Sequence, residues 1–145
     1  MNDTRTTCNQ LIRRGIDLCR LYRRAAHAAG EPGLRAVLDE DAQALAAVVV
    51  ELQHEVERSG GTPRTNGSWR AGVRGRLVET MAHAAARRDS VWIRALAQDE
   101  AALLRAFERA ITELPEESAG NLRRQLPRLR GIHLDMHNLG GAAHS

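Results

Sequence analysis

The chain has 145 residues, 43% of them hydrophobic, which suits one globular domain that buries a core without disulfides or a structural metal. All 21 basic residues are arginine, set against 18 acidic ones, and the net charge of +3 is too small to demand a nucleic-acid partner. No run nears the roughly 18 apolar residues of a membrane span, and Met1-Asn2-Asp3-Thr4-Arg5 lacks the order of a signal peptide, so a soluble cytoplasmic protein is expected.

The first predicted element runs from about Leu11 to Ala29, with apolar residues recurring at three and four. Cys8, just before this stretch, and Cys19 within it lie on the apolar side of one apparent helix. Eleven residues of helix separate them by about 16 Å, beyond the roughly 7 Å reach of a disulfide, so both are read as buried thiols. Gly30-Glu31-Pro32-Gly33 then offers a C-cap glycine and a helix-starting proline, and a turn this short makes an antiparallel hairpin with the second helix, about Leu34 to Val56. Gly60-Gly61 stops that helix, and a turn follows through Pro63 to Ser68.

The crossover, about residues 60–90, holds a shorter helix from about Val73 to Arg87 with Val73, Leu77, Met81 and Ala84 on one side. Asp89 or Ser90 is expected to cap the third main helix, about Val91 to Leu114. Pro115 ends it, and the acidic pair Glu116-Glu117 suits the start of the fourth, which carries its apolar stripe from Leu122 to Leu139. Pro127 should kink or divide that helix near Arg123, with Asn121 as a second N-cap. Residues 140–145 read as a flexible tail.

No segment alternates with period two, so the expected fold is all-α. Two antiparallel hairpins joined by about 30 residues match a ferritin-like four-helix bundle with one long crossover and a short extra helix, a single domain over residues 1–145. The arginine pairs Arg13-Arg14, Arg23-Arg24, Arg87-Arg88 and Arg123-Arg124 have apolar or acidic neighbours and no interleaved aromatics. They read as solvated faces, and nucleic acid is not an expected partner.

Glu51 and His54, three residues apart, have the spacing that carboxylate-bridged di-metal bundles use. Projected at about 100° per residue, however, they lie opposite the stripe Leu34, Leu38, Leu45, Val49, Leu52 and Val56, which makes them a surface pair. The same projection turns other polar residues inward. Glu100 falls in the middle of the third helix's stripe and His133 within the fourth's, with Gln125 at one edge and His137 at the other. Asp41 lies among apolar positions of the second helix, as do Cys19 and Tyr22 on the first. An ionised carboxylate cannot stay buried alone without a large penalty, so Glu100 needs a partner, and His133 is the natural one.

A family resemblance is carried by Leu11-Ile12 with Asp17 and Tyr22-Arg23-x-Ala25-Ala26. It continues through Glu51-Leu52-Gln53, Gly60-Gly61-x-Pro63 and Gly67-Ser68, then Glu100, and Arg124-Gln125 with His133. The chain resembles the bacterial ferritin-like four-helix-bundle proteins classed as a domain of unknown function, and the resemblance covers almost its whole length. It implies the bundle fold and no particular reaction. Where the family tends to have Asp-Gly-Glu this chain has Asp17-Leu18-Cys19, which removes a carboxylate. Gly75-Arg76-Leu77 stands where an aromatic is expected, the nearest tryptophan being Trp69.

The leading expectation is therefore a non-catalytic, self-associating bundle of a stress or storage context, without a cofactor, in which Glu100, His133, Tyr22 and Gln125 form a buried polar layer. Two alternatives stand beside it. One is a site for iron, zinc or manganese built from Glu100, His133, Asp41 and Cys19, with ferroxidase-like chemistry the one enzymatic option. The other is an arginine-rich binding module for nucleic acid or an acidic partner.

Overall fold

In a computed structural model, which describes residues 2–85 and 87–144, with side chains described from residue 4 to residue 141 except at 86, the described chain is all helical. Six helices follow in order: α1 Asn2–Ala28, α2 Pro32–Arg58, α3 Trp69–Ala84, α4 Arg88–Glu113, α5 Glu116–Arg123 and α6 Leu126–His144. The apolar stripes of α1, α2, α4 and α6 close on one another in a ring: α1 packs on α2, α2 on α6, α6 on α4 and α4 on α1. Tyr22, Leu38, Leu45, Leu96, Phe107, Ile132 and Met136 fill the space between them, each at most 1% exposed except Ile132 at 2%. Helices α1 and α2 approach closely, since a Cβ on Gly15 would stand 2.8 Å from Val49 Cγ2.

The helix ends follow from local chemistry, though several of them differ from expectation. Pro32 occupies the start of α2, where its missing N–H costs nothing. At the other end Gly60 takes φ 83°, and the amides of Gly60 and Gly61 bond back to the carbonyls of Glu57 and Val56. That is a Schellman ending, which needs a residue at home in the left-handed region. Gly30, expected to play this part for α1, is not in that region. Its amide instead donates to Asp89 Oδ1 at 3.1 Å, so Asp89 ties the start of α4 to the α1–α2 turn rather than capping its own helix. The N-cap position of α4 belongs to Arg87, with no side-chain cap.

Pro127 divides the last segment, as its sequence position requires, and the break falls at Arg124 and Gln125. Asn121 does not cap α6. It lies inside α5, where its side-chain oxygen accepts from Arg124. The helix α6 continues to His144, into the segment read as a tail.

The crossover is held on α1 by Asp17. Its Oδ1 accepts the Ser68 N–H at 2.7 Å, directly beside Gly67, where any Cβ would collide with that carboxylate. The Ser68 hydroxyl then accepts from the Arg70 amide and starts α3. Helix α3 lies on α4 and α1, but with the opposite face inward from the one expected. Gly75, Val78 and Ala82 are buried, while Val73, Leu77, Met81 and Ala84 face outward. Small residues explain the choice: with no side chain at Gly75, Arg24 of α1 lies across it, and a Cβ there would be 3.4 Å from the guanidinium Nε. Two ion pairs, Arg74 with Asp99 at 2.9 Å and Arg24 with Glu79 at 3.0 Å, fix the helix on either flank.

Candidate functional site

Among the described residues three charged or amide side chains are buried, Asp41 of α2, Glu100 of α4 and Gln125 between α5 and α6. Burial of Glu100 follows from its place in the stripe of α4 between Leu96 and Leu103. One of its oxygens, Oε2, lies 2.7 Å from His133 Nδ1. The histidine is not enclosed with it: its side chain is 48% exposed against 2% for the glutamate, so His133 sits at the rim of the ring and turns one nitrogen down onto the acid. Desolvation pushes the Glu100 carboxyl above the usual range, and the hydrogen bond and charge of His133 pull it back.

Beside this pair lies a second. Asp41 is 4% exposed, and its carboxyl is pushed up to about 8, first by burial and then by a side-chain hydrogen bond to Asp135 and that residue's charge. With a like charge beside it in a poorly solvated site, the Asp41 carboxyl keeps its proton well above the ordinary carboxylate range. Tyr22 of α1 completes the layer. Its hydroxyl is raised far above its ordinary value by burial, with the charges of Asp41, Glu100 and Asp135 adding to the effect. Tyr22 Oη, Asp41 Oδ2 and Glu100 Oε1 are buried without hydrogen-bond partners.

Glu100 and His133 meet and Tyr22 is buried, while Gln125 Oε1 accepts from Arg128 Nη1 at 3.1 Å. Tyr22 is not a donor to Glu100, since its hydroxyl is unpartnered. Cys19 Sγ points to the Ala42 carbonyl at 3.4 Å, and burial raises its thiol pKa, as it does that of Cys8. Among the described residues no three His, Cys, Asp or Glu side chains form a group that could hold a metal ion, so Glu100, His133, Asp41 and Cys19 are not drawn together as a ligand set. Glu51 and His54 are exposed, and His54 faces Glu57 at 3.9 Å rather than Glu51. Asp135 escaped the sequence reading because it lies about 100° from the centre of the α6 stripe, at an edge that periodicity assigns to solvent.

A family model described as Domain of unknown function (DUF2383) matches residues 3–113. The chain belongs to that family. The DUF2383 match spans α1 to α4, so it contains Tyr22, Asp41 and Glu100, while His133 and Asp135 lie beyond it on α6. No curated protein and no solved structure matches the chain. No described helix is long and apolar enough to cross a membrane.

Proposed function

We propose that this DUF2383 chain is a ferritin-like four-helix bundle of the bacterial type, cytoplasmic and non-catalytic. In this reading its buried acid layer serves to fix how the helices pair, and the protein self-associates in a stress or storage role. The observation that carries it is the 2.7 Å contact between Glu100 and His133. The buried acid spends its hydrogen bond on a neighbouring helix, which is what a pairing device requires. Self-association is read through the outer side of α2. Val50 is 47% exposed there, and the crossover helix packs elsewhere, on α4 and α1.

A second reading, a site for iron, zinc or manganese, draws on Asp41 Oδ2 and Glu100 Oε1, two buried oxygens with no partner. The donor set does not fit a di-iron centre, which takes about four carboxylates and two histidines turned inward. Here the layer offers Asp41, Asp135 and Glu100 with the single His133, and no three of them group around a common point.

Elemental analysis of protein purified without a histidine tag and reconstituted with each ion separates the two. The pairing reading expects under about 0.2 equivalents bound. One tightly held equivalent, lost in Glu100→Gln, would replace it with the metal reading. Sedimentation equilibrium of the wild type and Val50→Glu tests the self-association, which fails if both run as monomers at all concentrations.

A further inference from the structure

The outer face of α3 takes no part in the ring of helices or in the acid layer. Trp69, Val73, Leu77 and Met81 stand on it, 76%, 56%, 59% and 57% exposed. A run of large apolar side chains this exposed is rare on a monomer and marks a contact surface. Its spacing and its charges identify the occupant.

The four residues recur every fourth position, so the row drifts about 40° per step and crosses the helix obliquely. A lipid surface is flat and parallel to a helix lying on it, and a drifting row cannot reach it at one depth. A second helix can, because rows of this spacing are the ridges that fit the grooves of a partner crossing at about 50°.

Charge decides which helix. The one acid of α3, Glu79, is bound to Arg24, and Arg74 is bound to Asp99. Arg70, whose guanidinium lies 5.7 Å over the Trp69 ring, and Arg76 have no acidic partner among the described residues. Both are exposed and flank the row. A second copy in antiparallel self-pairing would match Trp69 to Met81 and Val73 to Leu77. It would also set Arg76 against its own equivalent across the two-fold axis, with no acid on the face to offset the repulsion.

We infer that the outer face of α3 is a docking surface for an acidic amphipathic helix of a partner protein, whose apolar ridge covers Trp69, Val73, Leu77 and Met81 and whose carboxylates meet Arg70 and Arg76. The surface combines tryptophan, methionine and arginine, the residues that protein interfaces enrich. This inference does not rest on the acid layer, and its test leaves that layer untouched.

The full chain is titrated with a designed helical peptide bearing leucine every fourth residue with glutamate flanks, and with the same peptide carrying lysine for glutamate. Vesicles of phosphatidylglycerol and phosphatidylcholine form a third arm. Trp92 is 1% exposed, so a blue shift of the emission reports Trp69. The expected result is a saturable blue shift with the acidic peptide alone. Arg70→Glu with Arg76→Glu weakens it at least about tenfold, and Leu77→Glu weakens it similarly with circular dichroism unchanged.

Equal binding of both peptides, or of neither, overturns the inference. So does a shift with vesicles and none with the acidic peptide, which would make the face a membrane surface. A concentration-dependent dimer that Leu77→Glu abolishes would assign the face to a second copy instead. Should Leu77→Glu fail to fold, the charge-reversed arginine pair alone decides.

Discussion

Replacing Asp41 by asparagine should remove much of the pH dependence of this protein's stability. The wild-type carboxyl is pushed up to about 8 in the fold, while an unfolded aspartate titrates near 3.9. Between those values the folded state holds a proton that the unfolded state has released. Its contribution is therefore complete below about pH 4 and is lost as pH rises toward 8. The slope from one such group is at most about 1.4 kcal/mol per pH unit. From pH 5.5 to 7.5 the loss approaches about 2 to 3 kcal/mol, or about 5 to 10 °C in Tm for a chain of this size.

Asparagine keeps the shape and cannot ionise. Thermal melts of wild type and Asp41→Asn at constant ionic strength should therefore converge or cross, with the variant the more stable above about pH 8. Parallel curves from pH 5.5 to 8.5 would refute the raised Asp41 carboxyl.

Further outcomes follow from the same geometry. Glu100→Gln should cost about 1 to 3 kcal/mol in urea unfolding by loosening its bond to His133, whereas Glu51→Gln, on the surface, should stay within about 0.5 kcal/mol; equal effects would reverse the facing of the two helices. Gly15→Ala forces a Cβ to 2.8 Å from Val49, and the overpacking, about 1 to 3 kcal/mol, should outweigh the gain in helix propensity, so a raised urea midpoint would contradict the close approach of α1 and α2. Asp17→Ala should free the crossover from α1, speeding limited proteolysis within residues 60–68 at least several-fold while Tm changes little. Cys8 and Cys19, 2% and 6% exposed, should resist a thiol reagent until the protein is unfolded.

Periodicity made the inward residues legible: Glu100, Asp41 and Tyr22 are buried where their helical phase puts them. It also separated Glu51 and His54 from the core despite their suggestive spacing. It placed His133 less well, since a histidine at a stripe's edge can reach an acid while most of its ring stays in solvent. Asp135 was hidden for the same reason, its pairing arising from the approach of α2 and α6 rather than from any pattern along α6. Helix α3 shows a different limit. Both its faces are apolar, and phase alone cannot say that the small residues Gly75 and Ala82 go inward and the large ones outward. That choice is made by how closely α1 and α4 need to be approached.

Two residues of α6 face acids on different neighbours: Asp135 sets its charge beside Asp41 of α2, and His133 bonds Glu100 of α4. Two attachment points on residues 133 and 135, pointing to different sides, define a helix's angle about its own axis as well as its height. A slip of α6 by a single turn would strand Glu100, leaving it buried without its histidine. On the proposed reading the layer would act on the last helix as a keyed lock, rejecting near-miss dockings that a purely greasy interface would tolerate.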